Sequence, residues 1–146
     1  MAEVVLGQQA VALGLGGRLA VDSAGTAADV GFDIDRRARR ALERRGYSAA
    51  HRQARQFEPV WLDERDLVVA MDRTHLRWLE RHAPNRAYVA RVRLLLSHPG
   101  DKGTDEPLEV RDPYYGDERA FESCLDLIEA GCASLLDELA PELAPS

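Results

Sequence analysis

Cysteine and lysine are scarce in this chain, and each scarcity closes off a class of protein. Two cysteines, Cys124 and Cys132, are all that its 146 residues carry, too few for a disulfide framework. They stand eight positions apart in a segment of strong helical pattern. At a helix's rise their backbones lie about 12 Å apart along the axis, too far to bridge. No Cys-x-x-Cys pair occurs, and His51, His75, His82 and His98 show no His-x3-His spacing. A dedicated metal site is therefore not expected, and the histidines read as surface or capping residues. Lys102 is the sole lysine, a bias that fits GC-rich coding. The net charge of −6 disfavours nucleic acid and anionic membrane as partners. No apolar run approaches the roughly 20 residues of a membrane span. The opening MAEVVLGQQAVALGLGG lacks a basic stretch and carries Glu3, Gln8 and Gln9, unlike a signal peptide. The cytoplasm is the default location.

What is present is ordinary in amount, 45% hydrophobic and 30% charged, and fits one domain over 1–146. Val4, Val5, Ala10, Val11 and Leu15 predict a helix over 2–14, stopped by Gly16-Gly17. RLAVDS (18–23) is a short β-rich run ending in a turn at Ala24-Gly25-Thr26. Asp35 caps a helix to Arg45 with Ile34, Ala38, Leu42 and Ala41 inward, and Gly46 suits its C′ position. A short turn surrounds Pro59-Val60-Trp61-Leu62. DLVVAM (66–71) is a continuously apolar strand, as a doubly covered sheet requires. Asp72 caps the next helix, with Leu76, Leu79 and Ala83 on one side. ARVRLLL (90–96) is another strand, and a Pro/Gly/Asp-rich loop fills 97–110. Phe121, Cys124, Leu125, Ile128, Cys132, Leu135, Leu136 and Leu139 then mark one long helix. Both cysteines lie on its apolar stripe, and Met71 and Trp78 also read as packing residues. The arginines of RRARRALERR (36–45) read as a solvated face. Strands alternating with helices predict an open parallel α/β sheet with helices on both faces. Ligands bind such sheets beyond the carboxyl ends of the strands, where DSAGT (22–26) and AMDR (70–73) fall.

DPYYGD (112–117) stands just before the last helix. Pro113 biases Asp112 away from helical geometry, so its carboxyl group is aimed. Flanking rings at Tyr114 and Tyr115 would desolvate it and raise its pKa toward that of a general acid. The plainer reading is a turn with Pro at its second position, followed by Asp117 as a helix cap.

DSAGT, HRQARQF (51–57), DLVVAMDRTHLRWL (66–79), VRLLL (92–96) and DPYYGD occur in this order. Together they resemble the low-molecular-weight protein tyrosine phosphatase family, over essentially the whole chain. The resemblance implies that Asp112 protonates the departing tyrosyl oxygen. It also implies that Tyr114 and Tyr115 flank the pocket and that the Ser23 hydroxyl supports the phosphate loop. The substrate would be a phosphotyrosine protein or small aryl phosphate, with no metal or cofactor. The oligomeric state stays open.

One departure from the family is large. Its thiolate nucleophile and phosphate-binding arginine sit in a Cys-x5-Arg loop after the first strand. Here Ala130 stands six after Cys124 and Glu138 six after Cys132. The domain thus reads as incomplete at its N-terminus, without the strand that lies between those matching 18–23 and 66–71. Those two strands would face a gap, and the isolated chain is expected to be poorly stable. An upstream start, with Met1 internal, is the simplest expectation. The chain as it stands is expected to be inactive. The alternatives are a catalytically dead binding or interaction module and an arsenate reductase-like relative. The paired tyrosines, and the absence of cysteine from 72–90, speak against the latter.

Overall fold

A computed structural model describes residues 1–50, 52–98 and 108–144. His51 and residues 99–107 of the expected loop lie outside them. The elements run α1 (Ala2–Ala12), α2 (Arg36–Arg44), α3 (Trp61–Glu64), β1 (Val68–Ala70), α4 (Arg73–His82), α5 (Arg86–Val89), β2 (Val92–Leu94) and α6 (Glu118–Leu143).

α6 is the spine. Its 26 residues bury Phe121, Cys124, Leu125, Ile128, Cys132, Leu135 and Leu136, the stripe that the three-and-four spacing predicts. Leu139 packs at its edge, half-buried. Each fully withdrawn leucine contributes about 1.5–3 kcal/mol, against about 0–1 kcal/mol for an exposed ion pair. The stripe therefore decides where α6 lies. α1 meets it with Val4 and Val5, and α2 with Ala38, Ala41 and Leu42. α1 ends at Ala12, earlier than Gly16, and Gly14 follows in the left-handed region at φ 75°. Val11, expected inward, is 67% exposed.

The caps form as expected. Asp35 accepts from the Arg37 amide, Asp72 from His75 and Asp117 from Ala120. An oxygen that satisfies an otherwise orphaned helix donor is worth about 1 kcal/mol.

β1 and β2 pair in parallel, Val68 with Val92, Val69 with Arg93 and Ala70 with Leu94. The pleat splits β1 between two apolar clusters. Val68 and Ala70 pack with Leu76, Trp78 and Leu79 of α4, whereas Leu67, Val69 and Met71 pack with the cluster of α1, α2 and α6. Helices thus cover both faces of an α/β arrangement with a small parallel sheet.

Two expectations need correction. Residues 18–23 form no strand: among the described residues the sheet has two strands, and regular pairing begins only at an isolated bridge, Gly25 to Gln56. A β-rich run becomes a strand only where a neighbouring ladder meets it, whatever its propensity; here the Arg18 amide donates to the Leu15 carbonyl and the Ser23 carbonyl accepts from Arg55 instead. The arginines of α2 are also not a merely solvated face. Arg45 reaches Glu122, Asp126 and Glu129, and Arg44 reaches Glu122, joining α2 to α6.

Candidate active site

The Asp112 loop leaves the end of the sheet under backbone control. The Val110 amide donates to the Met71 carbonyl, one residue past β1, at 2.8 Å. The Glu109 carboxylate accepts from the Arg73 amide, the first of α4, at 2.8 Å. Asp112 thus lies two residues beyond a backbone bond to the carboxyl end of β1. Its Oδ1 accepts from the Tyr114 amide at 3.0 Å, and Gly116 donates to the Pro113 carbonyl at 2.8 Å. The second bond closes a turn over 113–116 in which Pro113 is the first residue rather than the expected second, and the first is an Asx-type bond from Asp112 across Pro113.

The aromatic walls differ from expectation. Tyr114 and Tyr115 meet edge-to-face at 5.1 Å, but Tyr115 is 97% exposed and Tyr114 is 55% exposed. Asp112 is exposed as well. The Arg37 guanidinium lies 5.6 Å from the Tyr114 ring centroid, but both rings stay largely open to water and do not cover the exposed Asp112 carboxyl group.

Ser23 stands at the first turn of α1. Its hydroxyl donates to Glu3 Oε2 at 2.6 Å, and the other Glu3 oxygen pairs with Arg52. Next to it, Asp22 accepts from Arg55 and Arg65, and the Arg65 hydrogen bond holds its carboxyl group below the ordinary value. A cavity of about 590 Å³ is lined by Glu3, Asp22, Ser23, Arg52 and Arg55. A smaller one beside it, of about 160 Å³, adds Met1, Phe32 and Asp33. Asp112, Tyr114 and Tyr115 line neither. The Asp112 carboxylate and the Met1 α-ammonium both act on the Cys124 thiol, which burial drives up to about 11.

Both cysteines are free and buried. Burial carries Cys132 up to about 12, far from the depressed value of a nucleophilic thiol. Among the described residues no group of three or more His, Cys, Asp or Glu could hold a metal. No described helix is long and apolar enough to cross a membrane.

Arg37 was missed by sequence reasoning. It sits in the first turn of α2, yet its guanidinium reaches the carbonyls of Tyr114 and Gly116 at 2.9 and 3.0 Å. The contact spans 77 and 79 positions, and no local signal marks it.

The sequence pattern of the low molecular weight phosphotyrosine protein phosphatase family matches residues 1–144. The chain belongs to this family. A low molecular weight protein-tyrosine-phosphatase of Streptomyces coelicolor is 44% identical over 138 residues, 93% of this chain and 82% of that one. The low molecular weight protein-tyrosine phosphatase A of Mycobacterium tuberculosis is 41% identical over 145 residues, 99% of this chain and 85% of the relative. The crystal structure of YfkJ from Bacillus subtilis superposes with a TM-score of 0.85 at 31% identity, covering 97% of this chain and 86% of that one. A protein tyrosine phosphatase from Entamoeba histolytica gives 0.86 at 27%, with 98% and 89% covered. The fold of the phosphatases is thus retained, and among the described residues the paired sheet has two short strands.

Proposed function

We propose that this chain, as one cytoplasmic domain, carries the acid half of phosphotyrosine hydrolysis, with Asp112 as the general acid. In that reaction a thiolate attacks phosphorus and the P–O bond to the aryl group breaks. Asp112 gives its proton to the departing oxygen, leaving a phenol and a cysteinyl-phosphate. The Asp112 carboxylate then takes a proton from water as it attacks. The S–P bond breaks to release phosphate and thiolate, and no metal or organic cofactor enters. Tyr114 and Tyr115 flank the flat aryl group of a phosphotyrosine protein or small aryl phosphate, and the Ser23 hydroxyl supports the phosphate-binding loop. The observation that carries this reading is DPYYGD itself, on a loop tied to the carboxyl end of β1 by the Val110–Met71 bond.

The nucleophile is not among these 146 residues, since neither cysteine has an arginine six positions on. That same fact favours a second reading, a phosphatase-like binding module without turnover. The two separate on p-nitrophenyl phosphate. The 146-residue chain is expected to show no hydrolysis. A form with a strand and Cys-x5-Arg segment placed ahead of residue 1 is expected to gain it, and Asp112→Asn then lowers kcat about 10²–10⁴-fold. A folded extended form without turnover supports the binding module. Turnover by the 146 residues that Cys124→Ser abolishes would overturn both.

A further inference from the structure

We propose that Arg37 is a positioning residue for the acid-bearing turn, fixing Pro113–Gly116 against α2 so that Asp112 is presented in one orientation. This rests on the reading of Asp112 as the general acid.

The guanidinium works as a three-way fork. Its Nη2 donates to the Tyr114 carbonyl at 2.9 Å and its Nη1 to the Gly116 carbonyl at 3.0 Å, so it grips the turn at two points two residues apart. Its Nε and Nη2 also donate to the two Asp35 carboxylate oxygens, at 3.2 and 2.9 Å. Asp35 is itself fixed, because its Oδ1 accepts from the Arg37 amide at 2.7 Å as the cap of α2. The guanidinium lies 4.6 Å from the Phe121 ring centroid and 5.6 Å from that of Tyr114. Phe121 is only 3% exposed, so the fork rests on the core. Among the described residues no other side chain outside the loop hydrogen-bonds the 112–116 backbone. Val110 and Asp117 hold the two ends of the segment, and Arg37 holds its middle. The Tyr114 amide that bonds Asp112 Oδ1 belongs to the residue whose carbonyl Arg37 grips. Lysine cannot substitute, since one ammonium cannot span two carbonyls and a carboxylate in a fixed plane.

Amide hydrogen exchange by NMR on the 146-residue chain tests the anchor. Arg37→Ala is expected to speed exchange at Tyr114 and Gly116 by about tenfold or more, at least the scale of one lost hydrogen bond to a charged group, and to leave Leu125 and Leu136 in α6 unchanged. Millimolar guanidinium is expected to restore slow exchange in Arg37→Ala, while tetramethylammonium does not. Should Arg37→Ala fail to fold, Arg37→Lys reads out on the same amides. Unchanged exchange at Tyr114 and Gly116, or equal acceleration in α6, overturns the proposal. The form bearing a Cys-x5-Arg segment supplies the chemical readout. There Arg37→Ala is expected to lower kcat for phenyl phosphate more than for p-nitrophenyl phosphate, whose better leaving group needs less protonation, with KM unchanged. An equal loss on both substrates makes Arg37 a fold anchor only and overturns the positioning role. Asp112→Asn keeps the acceptor for the Tyr114 amide, so it leaves exchange intact while abolishing acid catalysis. A harmless Asp112→Asn with Arg37-dependent exchange therefore marks failure of the acid reading rather than of the anchor.

Discussion

Burial pushes the Cys124 thiol up to about 11, with the nearby Met1 α-ammonium pulling it down and the Asp112 carboxylate raising it. Cys132, withdrawn still further, reaches about 12. In the unfolded chain both ionise near 9.0. A raised folded pKa means that the native state holds these protons more tightly. The resulting stability is fully present below pH 9 and is lost as pH rises from 9 towards 11–12. The urea midpoint of the chain is therefore expected to fall between pH 8.5 and pH 10.5, and the fall should shrink in the Cys124→Ala, Cys132→Ala double variant. At pH 8 a thiol reagent should label neither cysteine in the native protein and both in urea. Fast labelling of native Cys124 would show that the core does not exclude solvent as described. At the acid end Asp35 behaves oppositely. Its hydrogen bond with the Arg37 side chain lowers its pKa below 3.8, so its contribution is present above that value and lost as pH falls below it. Asp35→Ala removes both a helix cap and the support of Arg37. It is expected to cost about 1–2 kcal/mol in chemical denaturation.

Between elements, α2 and α6 are joined by charge over a distance that the sequence does not advertise. Arg45 is 23% exposed and donates to Glu122 and Glu129, while the Tyr47 hydroxyl donates to the other Glu129 oxygen at 2.8 Å. Shared partners in a half-buried network exceed an isolated surface pair, so Arg45→Ala is expected to cost about 1–3 kcal/mol. A double cycle with Glu129→Gln should show the coupling. α6 also carries a glycine for a packing reason. A Cβ on Gly131 would stand 2.7 Å from Leu95 Cγ and 3.0 Å from Leu96 Cδ2. Alanine at 131 gains helix propensity of about 1 kcal/mol, but the clash is expected to win by 1–2 kcal/mol, the scale of overpacking. A raised thermal midpoint in Gly131→Ala would contradict that contact. The α6 stripe and the caps Asp35, Asp72 and Asp117 were legible because helical period and capping are local. Arg45–Glu129 and Arg37–Tyr114 were not, because each partner lies 77 or more positions away. Residues 18–23 misled for a related reason: β propensity is local, whereas a ladder needs a neighbour. DPYYGD was readable as a turn and as a family motif, but the exposure of its tyrosines depends on what packs over them.

For the molecule as a whole, the sheet is the weak point. Val68 donates to the Arg91 carbonyl and Ala70 accepts from the Leu95 amide, so alternation turns the Val69 amide and carbonyl to the opposite edge. Among the described residues no strand pairs there. Two three-residue strands are marginal without further neighbours, and an open apolar edge invites pairing with other chains. The 146-residue chain is therefore expected to unfold below the roughly 45–65 °C common for mesophilic domains. It should also self-associate as concentration rises, in sedimentation at tens of micromolar. The position of Val69 allows a sharper test. Val69→Pro removes an amide that faces the open edge and spares the bonds to β2, so it should reduce association at modest cost in stability. Val68→Pro removes the donor to Arg91 and should unfold the sheet. If the two proline variants are equally damaging, or if the parent chain melts sharply as a monomer at 60 °C whatever its concentration, then the outer edge of β1 is already satisfied and the sheet is not where this protein is weak.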